Sequence, residues 1–187
     1  IVSMAGVVNR KMAYVKPLGD RRLGRKKGLG GYDSALVSNL FGLKEDPVDM
    51  SIGFDHTKLR YMYDEEGAKQ RLLEIIGSIG SDKEILFIEG GRDLTYGISV
   101  HLDTLSLVKY TGSKLFIVAS GGEDTVMDDL LFLKRRVDLA GVKLSGVIIN
   151  KVQHLDEFRC IHLPAIQKEG IRVAGVLPYQ SELTYFS

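Results

Sequence analysis

Ile85-Leu86-Phe87-Ile88-Glu89-Gly90-Gly91-Arg92-Asp93 joins a short apolar run to a carboxylate, two glycines and a charge pair. The run is continuous rather than alternating, which is the pattern of a strand buried on both faces of a parallel sheet. Four runs of the same kind lie elsewhere, at Met12–Val15, Leu115–Ala119, Gly146–Ile149 and Val173–Leu177. Between them the apolar spacing turns helical. Glu65–Ile79 puts Leu72, Ile75, Ile76 and Ile79 on one face. Asp124–Ala140 does the same with Met127, Leu130, Leu131 and Val137, with Asp124 as the expected N-cap and Gly141 as the stop. Asp156–Glu169 carries Phe158, Ile161 and Ile166, and Pro164 within it predicts a break or kink. Strands alternating with helices predict an α/β fold. We expect a three-layer, doubly wound, mostly parallel sheet in one domain spanning residues 1–187.

Composition narrows the function. Of 187 residues, 44% are apolar and 26% charged, which excludes wholesale disorder and collagen-like repeats. The single cysteine, Cys160, cannot form an internal disulfide. It sits among aliphatic neighbours and is expected in the core, and a reducing, cytoplasmic location is the default. A net charge of +1 gives no global field for nucleic acid or membranes. No apolar run approaches the ~18 residues of a membrane span. His56, His101, His154 and His162 have no metal-ligand spacing with Cys160. One segment stands apart. Asp20–Gly31 holds Arg21, Arg22, Arg25, Lys26 and Lys27 with four glycines. Such a loop could meet phosphates, but without interleaved aromatics it is not expected to bind nucleic acid.

Ligands in doubly wound sheets bind at the carboxyl ends of the strands, so the residues there carry the functional reading. Lys16 follows the first run and would point its ammonium at that crevice; equally, it is a surface lysine before the turn residue Pro17. Glu89 follows the four apolar residues Ile85–Ile88, where a carboxylate is costly unless paired or bound to a cation. As a Mg²⁺ ligand it would act with phosphate oxygens, and Gly90 and Gly91 would let a phosphate approach the backbone. Asp33 opens a helical stretch, either as its N-cap or as a second Mg²⁺ carboxylate. Asn150 ends the fourth run with an amide able to meet a donor and an acceptor on a purine edge. The fifth run closes on a rigid turn at Gly175-Val176-Leu177-Pro178.

In this order, Lys16-Pro17-Leu18-Gly19, Asp33-Ser34-Ala35, Glu89-Gly90-Gly91, Asn150-Lys151-Val152 and Gly175-Val176-Leu177-Pro178 resemble the motifs of dethiobiotin-synthetase-like P-loop proteins. The nearest form is the dethiobiotin-synthetase-like N-terminal domain of phosphotransacetylases and its free-standing archaeal relatives; cobyrinic acid a,c-diamide synthases are more distant. The resemblance covers nearly the whole chain, with Phe87–Leu94 its most specific element. It implies a P-loop NTPase-like fold with ATP and Mg as cofactors. Lys16 would contact the phosphate or a small-molecule acceptor, and Asp33 and Glu89 would hold Mg²⁺. Asn150, with Lys151 beside it, would read adenine, while Gly175, Leu177 and Pro178 would line the base pocket. By the same analogy the chain would form a homodimer.

The chain departs from that family at its start. Ile1-Val2-Ser3 reads as the end of a strand and Met4-Ala5-Gly6-Val7-Val8 as the helix after a phosphate loop, with no G-x-x-x-x-G-K-[ST] between. Either loop residues are missing from this sequence between Ser3 and Met4, or the loop is lost and ordinary ATP hydrolysis with it. The end at Ser187 is abrupt where relatives continue, often into a further domain. Two functions follow. One is a MgATP-dependent ligase or synthetase that activates a carboxylate or carbamate by phosphoryl transfer. The other is a non-catalytic, nucleotide-sensing regulatory domain like that of the phosphotransacetylases.

Overall fold

The computed structural model describes residues 10–20, 31–122 and 124–181. The Ser3–Met4 junction and the basic run Arg21–Lys27 lie outside the described residues. The chain divides into two compact units, Ile1–Thr111 and Gly112–Ser187. Each contains a parallel sheet with helices against it, the α/β class the sequence predicts.

In the first unit β1 (Met12–Val15) pairs in parallel with β2 (Ile85–Ile88), Tyr14 opposite Phe87 and Val15 opposite Ile88. Helices α1 (Tyr32–Phe41), α2 (His56–Met62) and α3 (Glu65–Gly80) lie between the two strands in sequence. Asp55 and Asp64 start α2 and α3 by accepting from the backbone N–H groups of Lys58 and Gly67. The periodicity of α3 does what its spacing predicts. Ile75 and Ile79 pack into one cluster with Ala13, Tyr14 and Val15 of β1, and Leu72 into a second with Leu59, Leu102 and Leu107. Burying a leucine or isoleucine this fully is worth roughly 1.5–3 kcal/mol. Beyond β1 the chain stays extended. Lys16 N–H donates to the Met50 carbonyl, Ile52 N–H to Pro17, and Gly19 N–H to Gly53. Lys16-Pro17-Leu18-Gly19 is thus stitched along residues 50–53. A 3₁₀ turn (Ile98–Val100) and α4 (Thr104–Thr111) complete the unit.

In the second unit β3 (Leu115–Ser120), β4 (Leu144–Val152) and β5 (Val173–Pro178) form a parallel sheet in that order. Helix α5 (Val126–Leu139) connects β3 to β4 and packs Val126 and Leu130 against Ala119, Val147 and Ile149. It starts one residue after Thr125, so Asp124 is not the N-cap. Its end is a Schellman motif. Gly141 sits at φ 69°, its N–H donates to the Asp138 carbonyl, and Val142 N–H donates to Val137.

One expectation holds in a particular form and one fails. The α-helix between β4 and β5 is interrupted just before Pro164 by a π turn rather than by a loop. That segment runs as α6 (Leu155–Glu157), a π-helical turn (Phe158–His162) and α7 (Leu163–Lys168). Pro164 has no N–H for an i→i−4 bond, and the widened turn before it, with Leu163 N–H donating to the Phe158 carbonyl, absorbs the misfit. The extra residue shifts the apolar register. Phe158 and Ile166 are fully buried, but Ile161 is exposed, and so is Cys160. The failure is in β3, whose side chains alternate. Leu115 and Ala119 are buried, whereas Phe116 and Val118 are 42% and 57% exposed. The core cluster gathers on the Ala119 side of the sheet, and among the described residues the opposite face stays accessible.

Candidate functional site

At the carboxyl ends of β1 and β2 a lysine sits inside a ring of acids. Val15 pairs with Ile88, and Glu89 N–H donates to the Val15 carbonyl, so Lys16 and Glu89 are the next residues along adjacent strands. The Lys16 ammonium donates to Asp33 Oδ2 at 2.5 Å, Glu89 Oε1 at 2.9 Å and Asp20 Oδ2 at 3.3 Å. Lys16 is 4% exposed, which removes the surface-lysine reading. Burial alone would lower its pKa, but the hydrogen bonds to Asp33 and Glu89 outweigh that and hold it above the ordinary lysine value. Glu89 Oε2 accepts from Tyr14 Oη at 2.5 Å. Tyr14 and Lys16 are two apart on a strand, so both face the same side. Burial first, then the Glu89 charge, pushes the Tyr14 phenol well above its usual pKa. Asp33 is not the N-cap of α1. Gly31 holds that place without a side-chain bond, and Asp33 stands in the first turn, where a negative charge suits the helix dipole.

The turn after Glu89 is built by packing. A Cβ at Gly90 would collide with Thr104, and one at Gly91 would lie 2.6 Å from the Tyr96 ring. Close packing alone therefore asks for glycine at both positions. Asp93 Oδ1 accepts from Thr95 N–H, Thr95 Oγ1 and Tyr96 N–H, closing the turn. Tyr96 reaches back to the Gly19 carbonyl, and burial and Asp20 raise its pKa. The Arg92 guanidinium lies 5.1 Å from the centre of the Tyr96 ring.

The cluster is acidic on balance. Three carboxylates against one ammonium leave a net charge of −2, and every donor atom is oxygen. Asp33 and Glu89 keep 32% and 45% of their side chains accessible. Among the described residues no group of three or more His, Cys, Asp or Glu side chains is arranged to hold a metal ion. Mg²⁺ here would rest on the Asp33–Glu89 pair and complete its shell with phosphate oxygens and water, as it commonly does.

The second unit has a cavity of about 700 Å³ at its own strand ends. Ser120 and Gly121 line it after β3, Lys151, Gln153 and Glu157 at and after the end of β4, and Tyr179 after β5. Lys151 takes the left-handed backbone conformation (φ 63°), uncommon for a side chain of its size. Asn150 lies on β4 opposite Ser120 but does not line the cavity. Gly175 pairs with Ile148 and Pro178 with Val152, and with Leu177 they form strand β5 rather than the cavity lining.

The structure therefore brings Lys16, Asp33 and Glu89 together and puts Lys151 in a cavity. The sequence reading missed Tyr14, Asp20 and Tyr96 at the first site and Gln153, Glu157 and Tyr179 at the second. Tyr14 was accessible from strand period alone, two residues before Lys16. Tyr96 was not, because only the hydrogen-bonded turn closed by Asp93 brings it back to Gly19.

Parallel strands joined through helices, with charged groups gathered at the strands' carboxyl ends, make an α/β protein consistent with a P-loop NTPase-like fold. A family model described as an AAA domain matches residues 1–186. The chain belongs to that AAA-domain family of nucleotide-binding P-loop proteins, which contains dethiobiotin-synthetase-like domains. No helix among the described residues is long and apolar enough to cross a membrane.

Proposed function

We propose that this protein binds MgATP and transfers its γ-phosphoryl group to a carboxylate or carbamate oxygen of a small acceptor, with ADP as leaving group. The observation that carries this reading is the convergence of Asp33 and Glu89 on Lys16 at adjacent strand ends. Metal and phosphate chemistry belongs to the first unit. Asp33 and Glu89 would hold Mg²⁺, which would neutralise phosphate charge. Lys16 would offer an ammonium to a phosphoryl or acceptor oxygen as charge develops there. Gly90 and Gly91 would set the turn that fixes Glu89. By the family resemblance, Asn150 and Lys151 on β4 would meet the base, and Gly175, Leu177 and Pro178 would contribute from the neighbouring strand β5.

A second reading is a nucleotide-sensing domain without turnover. It is favoured by one observation: all three Lys16 donors are already engaged by carboxylates. Turnover of MgATP by the full chain, with and without a panel of small carboxylates and amines, separates the two. Under the enzymatic reading Glu89→Gln abolishes turnover while circular dichroism shows the fold intact. Unchanged turnover in that variant refutes it, and MgATP binding without turnover under every condition favours the sensor.

A further inference from the structure

We propose that the outward face of α5 is a self-association surface, on which a second copy of this chain docks its own α5 antiparallel about a two-fold axis at Phe132.

Helix α5 turns Val126, Leu130 and Val137 into the core. The opposite side carries Asp128, Asp129, Phe132, Arg135, Arg136 and Leu139, all exposed. Phe132 is 70% exposed and Leu139 84%, the highest values among the large apolar side chains described in the second unit. The charges flank Phe132 with opposite signs. Two acids stand three and four residues before it, and two arginines three and four residues after it. At 3.6 residues per turn, all four project within about 60° of Phe132 around the helix.

The four charges are out of each other's reach on their own helix. Each acid lies six to eight residues from the arginines, beyond the three or four over which helical neighbours meet. Asp138 stands within that distance of Arg135, but it accepts from Lys134 at 2.6 Å. Among the described residues none of the four makes an ion pair. The helix dipole favours acids at the start and bases at the end. It gives no reason for an exposed phenylalanine between them.

The pattern becomes complementary when the helix meets itself reversed. Turning one copy about Phe132 exchanges its ends, so the acids of each helix fall beside the arginines of the other. Asp128 then faces Arg135 of the second copy, and Asp129 faces its Arg136. Ion pairs frame a central contact between the two Phe132 rings, and Leu139 falls beside Thr125 of the second copy. A parallel pairing sets like charges against like. The contact is isologous: one patch meets the same patch, and the pair closes at two copies. The face is also small. Fourteen residues span about 21 Å, and one helix face falls short of the roughly 800 Å² per partner of a standard interface. The dimer is therefore weak and reversible.

Sedimentation equilibrium of the full chain, from about 1 µM to about 300 µM, tests this. Wild type should pass from monomer to dimer within that range, and at higher concentration as salt screens the ion pairs. Phe132→Ser should raise the dissociation constant at least about tenfold. Two charge-reversed chains decide the register. Arg135→Glu with Arg136→Glu makes the face wholly acidic, and Asp128→Arg with Asp129→Arg makes it wholly basic. Each should be monomeric where wild type is dimeric, and an equimolar mixture of the two should dimerise. Wild type that stays monomeric throughout overturns the proposal, whether the face serves a different protein or none. A dimer indifferent to both reversals lies elsewhere on the chain and overturns it too. Folded reversed chains that stay monomeric when mixed also overturn it. If circular dichroism shows that either reversed chain does not fold, Phe132→Ser decides, since the change is at an exposed position. A dimer that this variant leaves intact overturns the proposal.

Discussion

Tyr14 and Glu89 meet across two parallel strands, the buried phenol donating to the carboxylate at 2.5 Å while Lys16 holds the other carboxylate oxygen at 2.9 Å. Both oxygens of the strand-end acid are therefore fixed, one by a neutral donor and one by a charged donor. Glu89 is aimed before any ligand arrives.

Removing the neutral donor should loosen this aim at modest cost to the fold. Tyr14→Phe keeps the ring and loses one hydrogen bond to a charged, partly exposed acceptor, so we expect about 1–2 kcal/mol less stability by urea unfolding. Mn²⁺–tripolyphosphate binding should weaken several-fold. A variant that loses stability but binds normally would show Tyr14 to be a packing residue only.

Acid should weaken the first unit through a different pair. Lys83 donates to Glu45 at 2.6 Å, with both side chains largely buried. Burial would raise the Glu45 pKa, but the bond from Lys83 outweighs it and holds the carboxyl below its ordinary 4.5. A carboxyl depressed in the folded state stabilises the fold above its ordinary pKa and loses that contribution as pH falls through the folded value. Lys83→Met should cost roughly 1 kcal/mol at about pH 7, and the gap to wild type should narrow at an acid pH below the ordinary carboxyl value. Urea unfolding at both values checks this, and an equal gap at both would exonerate the pair.

Gly97 is the least replaceable of the turn glycines. Its φ is 95°, and a Cβ there would stand 2.9 Å from the Leu102 carbonyl group. Gly97→Ala should cost about 2 kcal/mol or more, adding backbone strain to a contact with main chain that cannot swing away. Gly112, also at positive φ but with open space around it, should lose less on the same change. Parallel denaturation curves for the two variants decide the ranking.

Two neighbours in the helical segment of the second unit should behave as opposites. Phe158→Ala empties the middle of that unit's core and should cost about 3–5 kcal/mol. Cys160→Ser, exposed two residues on, should change stability by less than about 0.5 kcal/mol. A large loss in the serine variant would put the thiol inside, where the aliphatic pattern of its neighbours suggested it.

The strands were legible because each is a short apolar run ending in a change of chemistry, and β1 and β2 fall on the residues expected. The helices were legible wherever the 3.6-residue period ran uninterrupted, as from Leu72 to Ile79. What stayed hidden depended on contacts between distant segments. Nothing local says that Asp33 turns from capping its helix to meet Lys16, seventeen residues earlier. Nor does any motif reveal that Gly90 and Gly91 leave room for Thr104 and Tyr96. Ile161 and Cys160 misled for the opposite reason: the pattern was read with a fixed period, and the period changes at the π turn.

That turn behaves as a one-residue wedge driven into an otherwise ordinary helix. The residues beyond it are rotated by about 100° from where an unbroken helix would have put them, since each α-helical residue turns through that angle. Phe158 and Ile166 are both buried in the register that the wedge sets. Deleting a single residue between Phe158 and His162 would swing Ile166 off the core and bring an outward-facing side chain in, whereas inserting one into the loop before the segment would leave the register untouched. In this part of the chain, tolerance to length change differs sharply over a few residues, and helix phase sets the boundary.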